Sequence, residues 1–143
     1  MKPVVRRFRA GDTEAVIDLW RVVFPEYFDP DKPQRDPRAS IARKQAVQPE
    51  LFWVAEAGSR LVGTVMAGYD GHRGWIYTLG VAPGLRRAGV ARELLAVAED
   101  ALRSLGCPKI NLQVMHGNTA ATEFYRATGY AEDGVISMGK RLA

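Results

Sequence analysis

The run Tyr77-Thr78-Leu79-Gly80-Val81-Ala82-Pro83-Gly84-Leu85-Arg86-Arg87-Ala88-Gly89-Val90-Ala91-Arg92 decides how this chain folds. Trp75 to Val81 is apolar and aromatic and reads as a strand. Pro83-Gly84 breaks it. From about Ala88 to Ser104, Val90, Leu94, Leu95, Ala98, Ala101 and Leu102 recur at helical spacing, with Leu105 continuing the stripe. Gly106 is placed to end the helix. The order is strand, loop, helix. A helix start offers N–H groups without intrahelical acceptors and a partial positive charge. Gly84 and Gly89 let an anion approach the backbone, and Arg86, Arg87 and Arg92 add charge-assisted donors. The stretch reads as a pyrophosphate-binding turn. It is not a Walker loop, because no Gly-Lys-Ser/Thr follows, and only one of the three glycines of a dinucleotide turn is in register.

Gly80 interrupts an apolar strand, which predicts a β-bulge or a close backbone approach; a packing glycine is the plainer alternative. A bulge would splay this strand from the one expected at Ile110 to Met115. Backbone groups in that gap need a partner, and an extended amide chain would supply one.

Working outward, Val4 to Arg9 reads as a strand. A helix follows, with Asp12 or Thr13 as N-cap and Val16, Leu19, Trp20 and Val23 as its buried stripe. Phe24 to Pro37 is a proline-rich loop, and Asp36-Pro37 opens a second helix to about Gln48. Leu51 to Glu56 and Leu61 to Tyr69 form a hairpin. Asn118 caps a short helix with Ala121, Phe124, Tyr125 and Thr128 on one face, closed by Gly129. Tyr130 to Leu142 reads as one or two short strands around Asp133-Gly134. The result is an α/β (α+β) fold with a mixed sheet, hairpins first and then a strand–helix–strand crossover.

The 143 residues suit one domain spanning 1–143, and 47% hydrophobic with 25% charged residues is ordinary for a globular chain. The single cysteine, Cys107, excludes an internal disulfide and a Cys-rich zinc site. No apolar stretch nears the roughly 20 residues that span a bilayer, so a cytoplasmic protein without a membrane partner is expected. Twenty Lys+Arg against sixteen Asp+Glu give a net charge of +4. The basic residues are scattered, which suits a phosphate-bearing cofactor better than nucleic acid as the main partner.

In the ordered set Val81-Ala82-Pro83, Arg86-Arg87-Ala88-Gly89-Val90-Ala91, Asn118, Phe124-Tyr125 and Gly129-Tyr130, the chain resembles the GNAT superfamily of acyl-CoA-dependent N-acyltransferases. The Arg86–Ala91 segment matches that family's Arg/Gln-x-x-Gly-x-Gly/Ala signature. The resemblance implies a single-domain GNAT-like fold. Its mixed, mostly antiparallel sheet would have six to seven strands, about four helices, and a splay between the fourth and fifth strands. It implies acetyl-CoA as cosubstrate and no metal. It further implies that the backbone around Leu79, Gly80 and Val81 pairs with the pantetheine amides. The amides of Arg86, Arg87, Ala88, Gly89, Val90, Ala91 and Arg92 would cradle the pyrophosphate, and Asn118 would contact the pantetheine arm. Tyr125 would be the general acid for the departing thiolate.

The base does not follow the pattern. Gln113 stands where some relatives carry Glu, and an amide is no base. His116 lies nearby at an expected loop, and a water chain needing no dedicated base is the other option. The implied reaction moves an acetyl group to a primary amine of a small molecule or of a protein or peptide. Two other readings remain open: a non-catalytic acyl-CoA-binding regulatory module, and an RNA-directed (aminoacyl-tRNA) acetyltransferase. A homodimer is open as well. The acceptor would meet the segment Phe24 to Arg38, with Phe24, Tyr27 and Phe28 as an apolar wall or as anchors, and Glu26, Asp29 and Asp31 as acids facing an amine or solvent.

Overall fold

Alternating and apolar runs set five strands: β1 (Val4–Arg7), β2 (Phe52–Ala57), β3 (Arg60–Tyr69), β4 (Gly74–Val81) and β5 (Ile110–Asn111). Four helices accompany them: α1 (Thr13–Val23), α2 (Pro37–Ala46), α3 (Val90–Ser104) and α4 (Thr119–Ala127). The computed structural model describes residues 2–86 and 88–142. These residues group into two compact units, Met1–Asn111 and Leu112–Ala143.

In the first unit the sheet order is β1-β2-β3-β4-β5, antiparallel up to β4. The α3 crossover makes β5 parallel to β4, as the strand–helix–strand pattern requires. Period-2 burial is weak in β3, where Val62 to Ala67 are all buried, because both faces are covered. One face packs α1 and α2 through Trp20, Val16, Ile17 and Ile41 against Phe8, Phe52, Val54 and Met66. The other packs α3, whose Val90, Leu94, Leu95, Ala98 and Leu102 are buried; Leu94 lies close over Gly63. Leu105, expected on that stripe, is half exposed.

Several expectations shift. β1 ends at Arg7, and Phe8 continues only through one bond, its N–H to the Phe52 carbonyl. Asp12 precedes α1, yet its carboxylate does not cap it. Arg6 takes it instead, with contacts of 2.8 and 2.9 Å, and the Arg9 N–H donates to it. The guanidinium holds the Asp12 carboxyl below the usual carboxylate range. α3 starts at Val90 and not at Ala88, because Gly89 has φ +83° and cannot be helical.

The described residues contain five strands where six to seven were expected. β5 is two residues long, and no strand forms between Tyr130 and Leu142. A strand persists only while a neighbour pairs with it. In the second unit, segment 112–115 and the tail share a side-chain bond, Gln113 Nε2 to Ser137 Oγ, and no ladder. Val135, Ile136 and Met138 stay exposed.

Candidate active site

β4 does not run regularly. Met66 stands opposite Tyr77 and Thr64 opposite Gly80, so Val65 faces two residues, Thr78 and Leu79. That count defines a bulge. It lies just before Gly80 in sequence, and Thr78 carries it at φ +48°, an unusual value for a β-branched residue. Gly80 has a different job. A Cβ there would come within 2.6 Å of Val23 Cγ1 and 2.7 Å of Phe24 Cζ. It is a packing glycine that lets the end of α1 press onto β4, so the bulge expected at Gly80 belongs to its neighbours.

The fifth strand covers only the start of the fourth. β5 pairs with β4 at Gly74 and Trp75 only. From Ile76 to Val81 the ladder on that edge has ended. The Thr78 Oγ1 beside it is buried and finds no hydrogen-bond partner among the described residues. Orphaned buried oxygens of this kind mark places where a ligand or water completes the structure.

Past Val81 the chain enters the expected anion turn. The Leu85 N–H bonds the Ala82 carbonyl, and the Ala88 N–H bonds the Leu85 carbonyl at 3.3 Å. Ala88 therefore spends its amide on the turn. The helical ladder of α3 opens with Glu93 N–H to Gly89 O at 3.0 Å, so the Val90, Ala91 and Arg92 amides precede it. No side chain caps α3. Space beside Gly84 and Gly89 is open, and the Arg86 and Arg92 side chains are exposed. Backbone donors at a helix start, with exposed arginines in the same loop and first turn, are the chemistry that suits an anion. Arg87 lies outside the described residues.

In the second unit, Asn118 is the N-cap of α4, its Oδ1 accepting the Ala121 N–H at 3.2 Å. Tyr125 follows seven residues later, about two turns on and so on the same side of the helix. The helix ends in a Schellman motif: Gly129 at φ +101°, its N–H on the Arg126 carbonyl, and the Tyr130 N–H on the Tyr125 carbonyl. The motif folds the Tyr130 ring edge-on against Tyr125, with centroids 5.6 Å apart, while Phe124 meets Tyr125 at 5.3 Å. Burial pushes the Tyr125 phenol up to about 12, so it stays protonated at neutral pH. Gln113 is engaged with Ser137, and His116 is exposed at the turn before Asn118.

The segment after α1 both anchors on the core and lines a cleft. Tyr27 packs edge-on against Trp20 at 5.9 Å and stacks on Phe24 at 5.3 Å, and burial raises its phenol above the ordinary value. Phe28 carries the Arg21 guanidinium over its ring at 4.7 Å. A cleft of about 390 Å³ opens beside them, with Asp29, Asp36 and Arg38 on its wall. Glu26 and Asp31 do not line it. No group of three or more His, Cys, Asp or Glu able to hold a metal occurs among the described residues.

The model of the acetyltransferase (GNAT) family matches residues 13–130. The chain belongs to this family. An acetyltransferase of Pectobacterium atrosepticum is 45% identical over 138 residues, covering 96% of this chain and 94% of that protein. One from Sodalis glossinidius is 45% identical over 139 residues, with the same coverage. The GNAT fold is also that of aminoglycoside N-acetyltransferase AAC(6')-Iy in complex with CoA, at TM-score 0.77 and 17% identity over 99% of this chain and 95% of that one. Ard1 from Thermoplasma volcanium shares it at TM-score 0.79 and 23% identity, over 92% and 84%. The chain is therefore an acetyltransferase of GNAT type. Buried Thr64 gives one signal in the sequence, a hydroxyl inside the apolar run 61–67.

Proposed function

We propose that this GNAT protein transfers an acetyl group from acetyl-CoA to a primary amine of a small molecule or of a protein or peptide. The observation that carries the reading is continuity: a bulged strand edge without a ladder partner leads, within eleven residues of Leu79, into an uncapped helix start with open glycines. An extended amide chain ending in a pyrophosphate has that sequence of needs.

Acetyl-CoA supplies the activated thioester. The backbone of Leu79 and Val81 holds the pantetheine amides, and the Val90, Ala91 and Arg92 N–H groups with Arg86 hold the pyrophosphate. An N–H of the bulge meets the charge that develops on the thioester oxygen. Asn118, whose Oδ1 is spent on the cap, offers its NH2 to the pantetheine arm. Tyr125 gives its proton to the departing sulfur. Gln113 cannot take a proton from the amine, which leaves His116 or a water chain to do so.

The test is ligand-induced stabilisation. Acetyl-CoA raises the melting temperature of the wild type, as a ligand of the native state must. Gly89→Glu abolishes that shift by placing bulk and negative charge in the cradle. Gly89→Ala carries similar backbone strain without the charge and keeps part of the shift. If Gly89→Glu is stabilised as much as the wild type, the phosphate assignment is wrong.

A further inference from the structure

The bulge in β4 is held by side chains that lie outside the cosubstrate cradle. Thr64, on β3, is fully buried, as is Trp20 on α1. Trp20 Nε1–H donates to Thr64 Oγ1 at 3.0 Å. The Thr64 hydroxyl, its lone pair so engaged, donates to the Thr78 carbonyl at 2.9 Å. The chain of two bonds thus runs from the core helix to the bulged residue.

Its consequence follows from peptide planarity. The Thr78–Leu79 bond is trans, so the Thr78 C=O and the Leu79 N–H lie on opposite edges of one plane. The carbonyl is drawn toward Thr64 on β3. The Leu79 N–H is therefore turned to the side opposite the Thr64 hydroxyl. Thr78 and Leu79 together face one partner residue, so this peptide lies outside the one-to-one register, and Thr78 sits at a costly φ. The Thr64 hydroxyl supplies a restraint.

We propose that Thr64, braced by Trp20, is a positioning residue that aims the Leu79 N–H at the carbonyl oxygen of the bound thioester. This rests on the acetyl-CoA reading above. Thr64 touches neither the acetyl group nor the CoA; it acts through the Thr78–Leu79 peptide. Valine at 64 keeps the shape and removes the donor, freeing the Thr78 carbonyl to rotate and misaiming the amide. Serine keeps the donor.

The experiment follows the Leu79 amide proton of 15N-labelled protein with acetyl-CoA and with CoA, alongside calorimetric affinity for both. In the wild type the Leu79 proton moves downfield with acetyl-CoA and not with CoA, because only the former carries the thioester carbonyl. Thr64→Val loses that difference while CoA affinity stays within about threefold, since the pyrophosphate cradle is untouched. Thr64→Ser restores it. A Thr64→Val protein that merely melts earlier but keeps the acetyl-dependent shift overturns the assignment. Should Thr64→Val not fold, Trp20→Phe, which keeps a ring and drops the N–H, carries the test: a reduced shift supports the assignment and an unchanged one overturns it. A wild type that binds neither CoA nor acetyl-CoA overturns the acetyl-CoA reading, and this assignment with it, which is a different result from a shift that survives Thr64→Val.

Discussion

The Tyr125 phenol resists ionisation because burial between Phe124 and Tyr130 disfavours the phenolate, which pushes its pKa up to about 12. The phenol proposed as proton donor therefore keeps its proton at neutral pH. Two outcomes follow. Tyr125→Phe keeps the ring and its packing and removes one hydroxyl, so turnover falls by roughly 10²- to 10⁴-fold while acetyl-CoA affinity holds. In the wild type, steady-state kcat shows no alkaline loss attributable to this phenol below about pH 10. The sign for stability is the same: an unfolded tyrosine ionises near 10 and the folded one near 12, so stability is untouched below the first value and drops as pH rises between them. A Tyr125→Phe protein with full activity and a lower melting temperature would make the hydroxyl a packing feature. Tyr125 came to notice through the family resemblance carried by Asn118, Phe124-Tyr125 and Gly129-Tyr130, and its place on a short helix capped by Asn118 was legible in the residues. Its burial was not, because the rings that enclose it meet only when the Gly129 cap turns the chain back.

Elements with a strong period were the legible ones. α1 and α3 carry their stripes where apolar residues recur at helical spacing, and β2, β3 and β4 follow apolar runs bounded by turns. Caps were harder. Asp12 has the right chemistry for an N-cap, yet Arg6 competes for its carboxylate from β1, a long-range contact that no local pattern contains. The bulge was foreseen but displaced. A glycine is the usual sequence mark of one, and here the strain sits on Thr78 because Thr64 can hold its carbonyl, while Gly80 makes room for Phe24. Asn118 caps α4, and the pantetheine contact proposed for it can be parted from that cap. Aspartate caps as well as asparagine, so Asn118→Asp leaves the melting temperature within about a degree or two. It loses the NH2 donor and adds charge, so the calorimetric Kd for acetyl-CoA rises. Unchanged affinity would leave Asn118 with the cap alone.

At the scale of the whole molecule, the antiparallel meander of β1 to β4 with the α3 crossover to β5 follows from element order and the handedness of such connections. The missing strands follow from pairing, which sequence cannot count: Leu112 to Met115 and the tail have strand-like composition and lack a ladder. No helix among the described residues is long and apolar enough to cross a membrane. The net charge of +4 suits the anionic cosubstrate proposed for the α3 cradle. Of the aromatic residues expected at an acceptor wall, Tyr27 and Phe28 line the cleft while also packing against the core, and Phe24 packs against the core without lining it. The decisive measurement is release of the CoA thiol from acetyl-CoA by the wild type across polyamines, amino acids, aminoglycosides and peptides with free N-termini. The account predicts amine-dependent release with at least one of these classes, well above the amine-free rate. A protein that binds acetyl-CoA yet releases no thiol above that background with any of them would contradict it.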